Sequence, residues 1–137
     1  MSEPSLSNSS ILLLVSDPMM RTVLHEVLDH AGCLVVAVDS LGPAVERLKQ
    51  MRPDLLITRP YINSMPGAMA AHYLRSWCPG MPVLIVDGFI DDERINVPMA
   101  VEDFHIFPRP FARRELLDRI RDVLDGARGR AAASPAR

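Results

Sequence analysis

Three charged residues stand where short apolar runs break off. Arg59 follows Leu55-Leu56-Ile57-Thr58, Asp87 follows Val83-Leu84-Ile85-Val86, and Arg109 comes two residues after the run 104–107. Short aliphatic runs between turn residues read as parallel strands covered on both faces. Each charged residue then lies at or just beyond a strand's carboxyl end, where open α/β sheets gather ligands and chemistry. Strands three, four and five are neighbours, so an aspartate between two arginines supports two chemistries. Each guanidinium can pair bidentately with the carboxylate, locking Arg59, Asp87 and Arg109 into an ion-pair cluster. Alternatively, two cations against one anion leave an excess positive charge suited to a phosphate or carboxylate. A strand-end arginine is more often paired locally than given to a ligand, so the ion-pair cluster is the preferred expectation.

Other reactive side chains form no pattern. His25, His30, His72 and His105 lack metal-ligand spacing. Ser16 and Ser64 lack the glycine-framed elbow of a nucleophile, and the glycines form no phosphate loop. No catalytic residue and no enzyme activity is expected. A length of 137 residues allows one domain with a sizeable core. A net charge of −2 gives no electrostatic case for nucleic acid or an anionic membrane. No apolar run approaches a membrane span, and residues 1–10 are polar without the pattern of a signal peptide. The expected compartment is the cytoplasm. Cys33 and Cys78 adjoin apolar segments and read as packed free thiols rather than a disulfide. Arg113-Arg114 and Arg128/Arg130 are interleaved with Glu115, Asp118, Asp122 and Asp125, as on a solvated helix face. The eight methionines are read as core filler rather than a sticky groove.

The elements that must position the strand ends follow in order. Residues 1–10 are expected to be a disordered tail. Residues 11–15 form a first strand, after which Asp17 caps a helix and Pro18 takes its first position. Met20, Val23, Leu24, Val27 and Leu28 form its apolar face, and Gly32 stops it. Residues 34–38 form a second strand. Ser40 caps a second helix that runs to about Met51, with Ala44, Val45, Leu48 and Met51 inward. The third strand leads to Arg59 and a loop over 59–65. A third helix over 67–77 offers Met69, Tyr73, Leu74 and Trp77 for packing. Residues 83–86 and 104–107 form the last two strands. Between them 91–96 allow a turn or two of helix before Pro98 breaks it, leaving Ile95, Val97 and Met99 either as a contact patch or in the core. A final helix covers 112–125 and stops at Gly126. Residues 127–137 are expected to be a disordered tail. Alternating strands and helices predict an α/β fold, a parallel sheet with helices on both faces.

The ordered part, residues 11–126, resembles a response-regulator receiver domain, the flavodoxin-like module of two-component signalling. The resemblance rests on residues 11–18, on Pro53-Asp54-Leu55-Leu56-Ile57, on residues 82–88 and on Phe107-Pro108-Arg109-Pro110-Phe111. The separations Arg59 to Asp87 (28) and Asp87 to Arg109 (22) are close to the family's spacing. It implies five strands in the order 2-1-3-4-5, and often a cis peptide before the proline that is Pro110 here. It also implies phosphoryl transfer from a histidine kinase to an aspartate, assisted by Mg²⁺ held by an acidic pair, with a Ser/Thr and a Lys nearby. Carried over, the acidic pair falls on Val15 and Ser16, with Asp17 reachable only by a one-residue slip. The acceptor falls on Arg59, the Ser/Thr on Asp87 and the Lys on Arg109. Ile106 takes the aromatic switch position.

A guanidinium cannot act as a carboxylate nucleophile, and Mg²⁺ wants oxygen ligands. The expectation is a degenerate, stand-alone pseudo-receiver with its Mg²⁺ site lost. It would act in phosphorelay signalling without phosphorylation, through contact with a protein such as a histidine kinase or another regulator, or as a homodimer. Two alternatives remain: a receiver that accepts phosphate on a non-standard residue, and a small anion- or nucleotide-binding flavodoxin-like protein.

Overall fold

In the computed structural model, which describes residues 6, 8–88, 104–108 and 112–133, strands and helices alternate along the chain. The order is β1 (Ser10–Leu14), α1 (Pro18–His30), β2 (Leu34–Val38), α2 (Leu41–Leu48), β3 (Leu55–Thr58), β4 (Tyr61–Ile62), β5 (Met65–Pro66), α3 (Gly67–Leu74), β6 (Val83–Gly88), β7 (Phe104–Pro108) and α4 (Arg113–Ala133). Five strands form one parallel sheet in the order β2-β1-β3-β6-β7. The short antiparallel pair β4-β5 stands apart from it. Counting the strands of the main sheet alone, the order is 2-1-3-4-5, as the resemblance implies.

The unbroken apolar runs follow from burial on both faces. In β1, Leu12 and Leu14 enter a core with Ala44 and Leu48 of α2 and Ala70, Ala71 and Leu74 of α3. Ile11 and Leu13 point the other way, to Leu24 and Leu28 of α1 and Leu116, Ile120 and Leu124 of α4. With period two in a strand, both alternating sets must be apolar. Cys33 and Cys78 are free and lie in these opposite cores.

Local signals act where the chain needs them. Asp17 Oδ2 accepts from the Met20 N–H at 3.0 Å, and Pro18 opens α1. Gly32 follows that helix at φ 95°, a left-handed conformation that costs an L side chain. Ser40 occupies the N-cap position of α2, but makes no side-chain bond to the helix backbone. Its hydroxyl instead donates to Asp39 Oδ1 at 2.9 Å.

Several boundaries differ from the sequence expectation. The expected N-terminal tail is in part structured. Leu6 is fully buried in the α1/α4 core, and the Asn8 N–H donates to the Gly32 carbonyl at 2.8 Å. One apolar side chain among polar neighbours is enough to anchor such a segment. Gly126 does not stop the last helix, which continues to Ala133 through part of the expected C-terminal tail. A mid-helix glycine costs only about 1 kcal/mol relative to alanine. Beyond it Arg128 donates to Ser9 Oγ at 3.0 Å and lies 3.8 Å from Asp125, tying the extra turns to the start of β1. The expected loop after Arg59 contains the β4-β5 ribbon, turned by Asn63 at φ 56°.

The third helix also packs differently. Its inward face consists of Ala70, Ala71 and Leu74, while Met69, Tyr73 and Trp77 are 59%, 48% and 40% exposed. At 3.6 residues per turn Ala70, Ala71 and Leu74 share the inward face, and Met69 and Tyr73 lie on the opposite side of the helix. Residues 91–96, Pro98 and the Ile95/Val97/Met99 patch lie outside the described residues.

Candidate functional site at the carboxyl edge of the sheet

Parallel pairing brings the ends of β1 and β3 side by side, with Leu14 opposite Thr58. The Thr58 hydroxyl, fully buried, donates to the Leu14 carbonyl at 2.8 Å. That bond satisfies a hydroxyl whose burial would otherwise be costly. It also fixes the positions of the residues that follow each strand, Val15 and Arg59.

Val15 is fully buried, and its N–H donates to the Val38 carbonyl at 3.1 Å. Arg21 on α1 reaches back over the turn. Its Nη1 donates to the Val15 carbonyl at 2.8 Å and to the Ser16 carbonyl at 3.3 Å. Hydrogen bonds from a charged donor contribute about 1.5–3 kcal/mol each, so the guanidinium holds this turn closed. Ser16 Oγ accepts from the Asn63 N–H at 3.3 Å, linking the β1 turn to the β4-β5 turn. Asp17 is exposed and its carboxylate is turned toward the start of α1.

Arg59 directly follows β3 and is partly buried, with Nε shielded from solvent. Its carbonyl lies against Gly67, so close that a Cβ on Gly67 would overlap it. The Gly67 N–H donates to the Pro60 carbonyl at 2.7 Å. The ribbon is thus folded back so that the start of α3 seals the backbone of Arg59.

The structure therefore brings Val15, Ser16, Asp17 and Arg59 to one edge. The backbone of Asp87 reaches the same edge within β6, but its side chain and the whole of Arg109 and Pro110 lie outside the described residues. So, then, does the Arg59–Asp87–Arg109 cluster. Ile106 is a partly buried residue of β7 packed against the α2/α3 core. Sequence reasoning missed Arg21, Thr58, Asn63 and Gly67. Arg21 carried a weak signal, lying one helical turn after the capping Asp17. Thr58 was the one polar residue closing an apolar run.

The described charges at this edge are mixed, with Asp17 after β1, Asp39 after β2 and Arg59 after β3. Two guanidinium-bearing residues, Arg21 and Arg59, are placed there, and the Val15 and Ser16 carbonyls already accept from Arg21. Among the described residues no three His, Cys, Asp or Glu side chains gather as metal ligands. Asp54 lies at the opposite edge, where Oδ2 accepts from the Ser10 N–H at 2.8 Å. A cleft of about 360 Å³ opens at that amino edge, lined by Arg52, Asp54, Cys78, Met81, Leu124 and Arg128 among others. Burial raises the thiol pKa of Cys78, an effect opposed by nearby Arg52 and Arg75. Burial, with Asp29 adding repulsion, pushes the Cys33 thiol up to about 11.

With this geometry in hand, comparison with known proteins is informative. Residues 11–121 match the family described as the response regulator receiver domain. A response regulator receiver protein from Sinorhizobium medicae superposes with a TM-score of 0.73 and 27% identity, covering 89% of this chain and 98% of its own. The receiver domain of the sensor histidine kinase PA1611 from Pseudomonas aeruginosa, with magnesium coordinated in its active site cleft, superposes with a TM-score of 0.71 and 20% identity. The match covers 87% of this chain and 99% of that one. Among curated proteins, the probable transcriptional regulatory protein TcrX of Mycobacterium tuberculosis is 23% identical over 117 residues, which is 84% of this chain and 49% of TcrX. The chain thus spans about half the length of that relative. Among the described residues no helix is long and apolar enough to cross a membrane.

Proposed function

The chain belongs to the response regulator receiver family, and we propose that it serves two-component signalling as a pseudo-receiver that works without phosphorylation. The observation that carries this reading is the arginine directly after β3. In the family correspondence Arg59 takes the acceptor position, with Val15 and Ser16 at the acidic pair, Asp87 at the Ser/Thr and Arg109 at the Lys. A guanidinium has no nucleophilic carboxylate oxygen to form an acyl phosphate. The magnesium seen in the PA1611 receiver tests the fit of a divalent ion here. The residues do not fit it. The Val15 side chain offers no oxygen, the Val15 and Ser16 carbonyls face Arg21, and the Asp17 carboxylate accepts from Met20. Magnesium prefers several oxygen ligands in octahedral array, and a neighbouring guanidinium repels it.

Without the switch, output falls to surfaces. The module acts by contact with a signalling protein, such as a histidine kinase or another regulator, or with a second copy of itself. A second reading is favoured by the same cations: Arg21 and Arg59 at one strand edge suit a small anion or the phosphate of a nucleotide. A third, phosphate acceptance at a non-standard acid, is left with Asp87, for which Asp17 is the one candidate metal partner. Thermal unfolding separates the first two readings. The pseudo-receiver leaves the midpoint unchanged by millimolar Mg²⁺ and by phosphate or sulfate. A midpoint that rises with Mg²⁺ contradicts it, and one that rises saturably with phosphate favours the anion site.

A further inference from the structure

From the exposed side of α3 we infer that this chain carries a docking surface for an acidic amphipathic helix of a partner protein. Met69, Tyr73 and Trp77 recur every fourth residue and are 59%, 48% and 40% exposed. They form one apolar stripe along α3 and the turn after it. Large apolar side chains gathered in one exposed patch mark contact sites, unlike single scattered ones. The stripe runs from Met69 on α3 to Trp77 in the turn after the helix, which suits a partner helix with anchors at i, i+4 spacing.

Charge decides what kind of helix. α2 packs beside α3 over the same face of the sheet, and Lys49 lies 5.6 Å from the centre of the Trp77 ring. Arg52 and Arg75 both act electrostatically on Cys78, the residue after Trp77. Three cations therefore border the aromatic end of the stripe. Residues 46–54 and 75–77, at this end of α3, hold Arg47, Lys49, Arg52 and Arg75 against Glu46 and Asp54, a net +2. The whole chain is −2, so the remainder carries −4. Of the two acids, Glu46 pairs with Lys49 at 3.3 Å and Asp54 accepts from Ser10. The corner is locally cationic on an otherwise acidic molecule. That sign favours carboxylates flanking the partner's anchors, and it disfavours the acidic remainder of a second copy.

This surface builds on the reading of the chain as a contact module, and its test is independent of phosphate chemistry. Trp77 is the single tryptophan, so its emission reports on the stripe directly. A random peptide library displayed on phage is selected against the intact protein, and enriched peptides are titrated while Trp77 fluorescence is followed. The expected peptides carry Asp and Glu around apolar anchors and change Trp77 emission saturably. They bind at least about tenfold more weakly, some 1.4 kcal/mol, to Lys49→Glu/Arg52→Glu and to Tyr73→Ser. Both variants change exposed positions, and an unaltered unfolding midpoint shows that they fold. Enrichment without acidic bias overturns the inference, as does a failure to recover any peptide that moves Trp77 emission. An emission change with protein concentration alone overturns it in favour of self-association. Loss of this surface leaves the pseudo-receiver reading standing, whereas phosphate uptake removes that reading and leaves the surface.

Discussion

At Gly67 a single hydrogen atom decides whether the edge can close. The Arg59 carbonyl occupies the space a Cβ would need, and that carbonyl is backbone that cannot swing aside. Gly67→Ala is therefore expected to destabilise the protein by about 1–3 kcal/mol, as overpacking does, read as a lower denaturant midpoint with unchanged slope. Cys33 gives a pH signature. Its folded pKa of about 11 exceeds the ordinary 9.0, so the folded state holds the proton more tightly. The stability linked to this thiol is complete below about pH 9.0 and is lost as pH rises toward 11. The unfolding midpoint should fall across that window, and fall less in Cys33→Ala. Individual site residues were unevenly legible. Arg59 announced itself as a charge closing an apolar run. The contact of Arg21 with the Val15 and Ser16 carbonyls did not, because it depends on how α1 sits over β1 and not on spacing alone. Gly67 looked like any helix-flanking glycine until the Arg59 carbonyl was seen against it.

Elements with strong periodic patterns were legible, and their ends were less so. β2 over Leu34–Val38 and the start of α1 at Pro18 emerge from local rules: a β-branched run, and an Asp-Pro cap. The end of α4 does not. Glycine is a common stop signal, but propensity is weak against tertiary contact, and Arg128 meets Ser9 more than one hundred residues earlier in the chain. Gly126 is exposed and helical, so Gly126→Ala is expected to stabilise by about 0.5–1 kcal/mol, measured as a raised midpoint in urea. A lowered midpoint would mean that the helix bends or ends there. α3 shows a second limit. The sequence offers Met69, Tyr73, Leu74 and Trp77 for packing, but helical phase puts Leu74 with Ala70 and Ala71 on the inward face and leaves the other three exposed.

For the whole molecule, the fold followed from continuous apolar strands alternating with amphipathic helices, since only a sheet covered on both faces buries both sides of each strand. The layers meet that requirement with Leu12 and Leu14 toward α2 and α3, and Ile11 and Leu13 toward α1 and α4. Such a sheet presents its strand ends as one edge, and the receiver family uses that edge as a phosphoryl switch. Here the same scaffold places Arg21 and Arg59 there, and an apolar stripe with Lys49 over Trp77 along α3. The central claim is that the scaffold signals without accepting a phosphoryl group. Its most direct test is intact mass after incubation with acetyl phosphate and Mg²⁺. The account predicts no added phosphate on the wild-type chain. One phosphate per chain on the wild type, mapped to any Asp or Glu, would contradict it.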